Sequence, residues 1–228
     1  MEAAELEALA GYRAFQESLG AEIGRIARES GATCNAECTG CCYQLVQLRF
    51  VDALALVAAL RAKGLVTPEM ESRVLAAAQK TRAPGTGWAD PAGYFESRRP
   101  CVFLSPGSKP TTCTVYEERP IVCRLHYSIS PPEWCHPDDG KRHIPVTLKP
   151  MDLHLEQETK KSPKTVRALV NAEAAIVEGA LGIPNRYRGV HAPFAYAVAA
   201  AISFLREGPS CLPRWFLGRD LTAVPRSL

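Results

Sequence analysis

The chain has 228 residues and a net charge of +3, and 46% of its residues are hydrophobic. That length suits one large domain or a domain with an added subdomain, and that apolar fraction supplies a core, which excludes a disordered chain. Lys and Arg are spread without a dense basic patch and aromatics make up only 7%, so nucleic acid is not the expected partner.

Leu6, Leu9, Tyr12, Phe15, Leu19, Ile23 and Ile26 recur at three- and four-residue spacing. This predicts an amphipathic helix over residues 3–29, ended by Gly31. A cysteine-bearing loop follows over residues 33–43. A second helix is predicted from Val51 to Lys63, stopped by Gly64. A third opens with Thr67 as N-cap and Pro68 in its first turn, and turns Met70, Val74, Leu75 and Ala78 inward. Residues 83–114 are broken by Pro and Gly and read as irregular. Short strands at Cys101–Leu104 and Cys113–Tyr116 are expected to pair as a hairpin across Ser105–Pro110. Pro120 opens a short helical turn holding Ile121 to Arg124. Residues 128–150 read as loop with a strand at Ile144–Leu148. Ser162 and Pro163 start a helix with Val166, Leu169, Val170, Ile176, Val177 and Leu181 on its apolar face, and Gly182 and Pro184 stop it. The last strong helix is predicted from Ala192 to Arg206. Its apolar run is about half a bilayer span, which argues for a buried helix and against a membrane one.

The expected fold is mainly α, with helices flanking a cysteine-rich irregular metal-binding centre and a short β-hairpin. It is read as a single domain over residues 1–228, with the metal-binding core at about 33–136 and a C-terminal helical part at about 160–207. Glu2, Glu5 and Glu7 follow Met1 with no basic or apolar leader segment, which reads as cytoplasmic. A reducing compartment leaves thiols free for metals.

The nine cysteines carry most of the chemistry. Cys34, Cys38, Cys41 and Cys42 fall in the pattern Cys-x3-Cys-x2-Cys-Cys. Thiolates are the softest protein ligands, and such clusters collect zinc, copper(I) or iron–sulfur units. Cys101, Cys113 and Cys123 form a second block close to Pro and Gly, away from any helical period. These seven thiols exceed the four that one tetrahedral zinc takes. One [4Fe–4S] cluster with three thiols to spare, two zincs with bridging thiolates, and a multinuclear site all fit that arithmetic. Neighbouring side chains in extended backbone point to opposite sides. Cys41 and Cys42 therefore reach one ion only where the backbone bends, which Gly40 permits. Arg119 and Arg124 are placed to offset thiolate charge. His126 has knuckle spacing from Cys123, and Cys135 adjoins His136. His143, His154 and His191 are isolated, and Cys211, beside Leu212, reads as a small hydrophobe. Glu117 and Glu118 read as a solvated turn.

Cys-x3-Cys-x2-Cys-Cys, Pro100-Cys101-Val102-Phe103-Leu104, Cys113-Thr114-Val115-Tyr116 and Arg119-Pro120-Ile121-Val122-Cys123-Arg124 together resemble the YkgJ-type cysteine-cluster family, a zinc- or iron-chelating group. Val102 stands where that family commonly has Pro, and Val115 where it commonly has Ile. The four ordered blocks cover about residues 34–124. The resemblance implies Cys34, Cys38, Cys41, Cys42, Cys101, Cys113 and Cys123 as the metal-binding set. The similar cysteine pattern of flagellin lysine N-methylases implies a methyl-transfer alternative.

Rival chemistries have less support. Cys34-x3-Cys38-x2-Cys41 has the spacing of radical S-adenosylmethionine enzymes, but Gly40 stands where an aromatic is usual and no barrel alternation follows. No glycine-rich turn follows a strand, and there is no phosphate loop, zinc-protease motif or serine elbow. The leading expectation is thus a cysteine-ligated metalloprotein whose partners are metal ions. An iron–sulfur cluster stands ahead of zinc, in a redox or enzyme-supporting role. The alternatives are a structural zinc-binding interaction module and a metal-dependent modifying enzyme such as a protein lysine methylase.

Overall fold

The computed structural model describes residues 2–29, 31–34, 39–83, 87–97, 99–105, 112–125, 127 and 163–216. The strand expected at Ile144–Leu148 lies outside the described residues, as do Cys38, His126, Cys135, His136, His143 and His154. The molecule is mainly helical, as the apolar periodicity predicts, and carries small antiparallel ribbons.

Helix α1 spans Ala3–Glu29 and buries Leu9, Tyr12, Leu19, Ile23 and Ile26 of the stripe read from the sequence, while Phe15 is half-buried and Leu6, in the first turn, is exposed. It ends as predicted. Gly31 has φ +82°. Its N–H donates to Arg28 O at 3.0 Å and the Ala32 N–H to Ala27 O at 2.9 Å. This left-handed cap turns the chain toward Cys34.

Helix α2 (Phe50–Ala62) is buried on nearly every face, from Phe50 to Val57 and at Leu60. A helix apolar all round belongs in the middle of a core. Helix α3 (Pro68–Lys80) is amphipathic, and the Met70 N–H donates to the predicted Thr67 cap at 3.3 Å. Helix α4 (Pro91–Glu96) and helix α5 (Ile121–Arg124) are short. Helix α6 (Pro163–Ala180) and helix α7 (Phe194–Glu207) lie in the C-terminal part as predicted, although Leu169 and Ile176, read as part of the apolar face of α6, are exposed, and the short α8 (Leu212–Phe216) follows. Ala195 to Leu205 are all buried where α7 packs against α2 and α3. Its small alanine side chains let those helices approach closely. Among the described residues no helix is long and apolar enough to cross a membrane.

Three details depart from expectation. The first is that Gln47–Arg49 (β1) pairs antiparallel with His191–Pro193 (β4), in the register Leu48 to Ala192. The last helix therefore begins at Phe194, not Ala192. This ribbon runs directly into α2 on one side and α7 on the other, so it fixes both helix starts at one place. Secondly, Arg82–Ala83 (β2) pairs with Gly87–Trp88 (β3), and α4 follows, in the stretch expected to be irregular. The third is that, among the described residues, the expected hairpin is a bridge between Leu104 and Cys113, with the Ser105 N–H donating to Thr112 O at 2.9 Å and the Thr114 N–H to Phe103 O at 2.8 Å, and no longer strands. Before it, the Leu104 N–H donates to Cys101 O at 3.0 Å, so the chain turns there and does not extend.

The core also contains one charged feature. Arg49 on β1 donates through Nε and Nη2 to the two carboxylate oxygens of Glu178 on α6, at 3.1 and 2.9 Å. Glu178 is 0% exposed and Arg49 8%. Asn171 Oδ1 and the Gly189 N–H complete the cluster at 2.9 and 3.0 Å. A buried pair of this kind holds only where its remaining hydrogen bonds are made. Here it fastens α6 to the ribbon.

Candidate metal centre

Four chain segments bring five thiols to one cavity. Cys41 and Cys42 ride on a 3-10 turn, Gly40–Tyr43, closed by the Cys42 N–H donating to Thr39 O at 2.9 Å. This is the bend that Gly40 was expected to permit. The two neighbouring thiols hydrogen-bond to each other and both line the cavity. The Cys101 N–H donates to Cys42 O at 2.6 Å, which joins the two cysteine blocks through their backbones. Cys113 is placed by its bridge to Leu104. Cys123 sits in α5, where its N–H donates to Pro120 O at 3.0 Å. Cys101, Cys113 and Cys123 face the same cavity as the vicinal pair.

The other cysteines differ. Cys34 is half-buried and is not on the described wall; its field reaches Tyr127. Cys211 is buried against the core, as expected of a small hydrophobe, and burial pushes its thiol up to about 11. His191 is exposed, with Nδ1 2.8 Å from Gly189 O, far along the chain from the thiol segments and off the described cavity wall.

Burial and the neighbouring sulfurs raise four of the cavity thiols, Cys42, Cys101, Cys113 and Cys123. The hydrogen bond with Cys41, then burial, then the neighbouring sulfurs raise Cys42. Burial pushes Cys101 up to about 12, against the Phe103 N–H. Burial also raises Cys113 and takes Cys123 well above the ordinary thiol range, with Arg119 opposing in both cases. A nucleophilic cysteine needs the opposite shift. Metal binding reverses this one, because a divalent cation deprotonates the thiols it binds and releases their protons. Among the described residues no three Cys, His, Asp or Glu side chains already stand as a metal cage. The cysteines share a wall, and the donor set on that wall, soft sulfur from separate segments, fits zinc or an iron–sulfur unit.

The two arginines named from the sequence part ways. Arg119 lines the cavity, with its Nε donating to Tyr116 O at 3.0 Å and its guanidinium carbon 3.5 Å from the centre of the Tyr116 ring. Arg124 turns to α1. Its Nε donates to Arg119 O at 2.8 Å, and its Cδ lies only 2.7 Å from where a Cβ on Gly20 would stand. It is a packing residue and not a counter-charge. The acidic turn also differs from expectation. Glu117 is exposed, but Glu118 is buried and ion-paired with Lys63.

Residues 33–143, just under half of the chain, match a family profile, CxxCxxCC, described as a "putative zinc- or iron-chelating domain". That segment is similar to this cysteine-cluster family, as the four sequence blocks indicate. Here the first spacing is one residue longer than the family label. No curated protein and no solved structure matched the chain significantly.

The sequence did not reveal the rest of the wall. Gln44 to Val46, Ala77 on α3, Thr81 just past its end, Tyr94 on α4 and Phe194 on α7 are part of it. No motif marks these residues.

Proposed function

We propose that the chain is a cysteine-ligated metalloprotein in which the metal joins distant segments of the fold. The observation that carries this reading is that Cys41, Cys42, Cys101, Cys113 and Cys123 line one cavity. Cys34 and Cys38, on the loop leading into the vicinal pair, complete the proposed set of seven. The cavity thiols are its core. An iron–sulfur cluster is favoured over zinc, because the thiols exceed the four that one zinc takes and two of them are vicinal. The cluster would supply one-electron chemistry or support an enzyme activity. The zinc alternative is a closed structural site. It is supported by the origin of the thiols in four separate segments, which a four-coordinate structural zinc would join.

Purification without oxygen, followed by a visible spectrum and analysis of iron, zinc and sulfide, tests the choice. A brown protein with matching iron and sulfide, bleached by dithionite, is the expected result. A colourless protein with stoichiometric zinc overturns the iron–sulfur assignment in favour of zinc. A chain that takes up neither metal overturns both. Cys34→Ser and Cys42→Ser sort ligands from bystanders by metal content. Cys42→Ser is expected to lower it, and Cys34→Ser to lower it less.

A further inference from the structure

The cavity extends past its thiols. Leu45 and Val46 before β1, Ala77 on α3, Phe103, and Phe194 at the start of α7 also form its wall. Metal–sulfur bonds of about 2.3 Å confine a metal to the neighbourhood of the sulfur atoms. These apolar side chains offer it no donor. Apolar and aromatic walls with a few polar groups are instead the lining of sites for organic ligands.

The polar groups narrow the class of ligand. Among the described wall residues Arg119 is the one cation, and no carboxylate faces it there. The guanidinium is committed to Tyr116, with its carbon over the ring and its Nε donating to the Tyr116 carbonyl. The Thr81 hydroxyl donates to Ala78 O at 2.7 Å. Gln44, Tyr94 and Tyr116 bring the other polar groups, all uncharged, so among the described residues nothing on this side of the cavity balances a charge on a ligand. The rings of Phe103 and Phe194 stand edge to face, 5.8 Å apart, and Tyr94 adds a third aromatic. Such a wall favours another ring in an offset or edge contact.

We propose that the cavity is a ligand chamber as well as a metal site, and that it takes an uncharged, largely apolar, ring-bearing small molecule against Leu45, Val46, Ala77, Phe103 and Phe194. This deepens the metalloprotein reading by giving the centre a neighbouring substrate or redox partner. It rests on the shared cavity and not on which metal is bound.

The test is a fluorescence titration of the full, metal-loaded chain with N-phenyl-1-naphthylamine, a neutral probe that brightens in apolar surroundings. Saturable binding of one probe per chain is expected. Ala77→Phe, which fills the chamber, is expected to weaken it about tenfold or more, with metal content unchanged. Tyr94→Ala, on the short α4, is expected to weaken it as well, and decides the matter if Ala77→Phe does not fold. Ile176→Ser is the control, because Ile176 is 66% exposed on α6 and offers the probe another apolar resting place. Absence of saturable binding overturns the chamber. So does binding that Ile176→Ser abolishes while the cavity variants leave it intact. A chain that holds metal but no probe loses the chamber alone. A chain that binds the probe through Ala77 but holds no metal loses the metal reading alone.

Discussion

Arg119 and Arg124 have the same charge and flank the same cysteine, yet their surroundings predict different roles. Arg119 sits on the cavity wall and opposes the upward shift of Cys113 and Cys123. Residues that orient or neutralise metal ligands from outside are worth about 10–100-fold in affinity. Arg119→Gln is therefore expected to weaken zinc binding by about that factor in competition with a chromophoric chelator. Arg124→Gln is expected to leave affinity nearly unchanged and to lower the melting temperature instead, because its side chain fills the notch at Gly20. Asp52 makes a second prediction at this scale. Tyr12 Oη donates to its Oδ1 at 2.8 Å from α1, Gln16 Nε2 donates to the same atom, and Arg49 and His191 face it from β1 and β4. Burial outweighs these partners and raises its carboxyl to about 6. With the folded pKa above the unfolded one, the folded state binds more protons between about pH 4 and 6, so stability falls as pH rises through that window. Asp52→Asn retains an acceptor and removes the titration. Urea melts are expected to show its stability relative to wild type rising between pH 4 and pH 7, on the order of 1–3 kcal/mol.

At the scale of elements, α1 serves as the platform for the metal-bearing turns. Arg13 reaches the carbonyls of Glu117 and Glu118, and Gly20 and Gly24 leave notches for Arg124 and the Tyr127 hydroxyl. Gly20 and Gly24 lie four residues apart and so share one face of the helix. Gly11, on the same helix, has nothing within 4 Å of a built Cβ. Gly11→Ala is expected to raise stability by about 0.5–1 kcal/mol through helix propensity alone. Gly20→Ala gains the same propensity but drives a methyl into Arg124, and overpacking costs about 1–3 kcal/mol. Its net effect is expected to be a loss, read as opposite shifts of the two variants in one urea series. The long helices were legible in the sequence because their periodicity is local: Leu9 to Ile26 marks α1, and Thr67 with Pro68 marks the start of α3. The ribbon of β1 and β4 was not. It is three residues long on each side, joins segments far apart in sequence, and contains Pro193, so no alternation announces it. The cysteines were legible as donors. Which of them share a wall depends on the turn at Gly40 and the bridge at Leu104, and those are tertiary facts.

For the molecule as a whole, the balance between metal and core decides what happens when the metal is removed. Small domains folded around zinc unfold without it, because the metal supplies the folding energy that a core would otherwise give. Here α2, α3 and α7 bury a continuous apolar core from Leu54 and Leu60 to Tyr196, Phe204 and Trp215, residues that lie off the thiol-bearing turns. The thiol segments instead lie at its edge, where Phe103 and Val115 join that core and Cys101 and Cys113 pack against it. Metal removal by a chelator under reductant is therefore expected to leave most of the far-ultraviolet helical signal in place. Amide exchange is expected to quicken in residues 39–46 and 99–125. The loss of stability follows the linkage of a ligand that binds only the folded form, about 2.7 kcal/mol for a metal at a hundredfold over its dissociation constant. That loss should appear as a lower melting temperature and be restored on adding metal back. Complete loss of the helical signal on chelation would show that the metal and the core fold as one unit, and that the five thiols hold up α2, α3 and α7 as well as the turns that carry them.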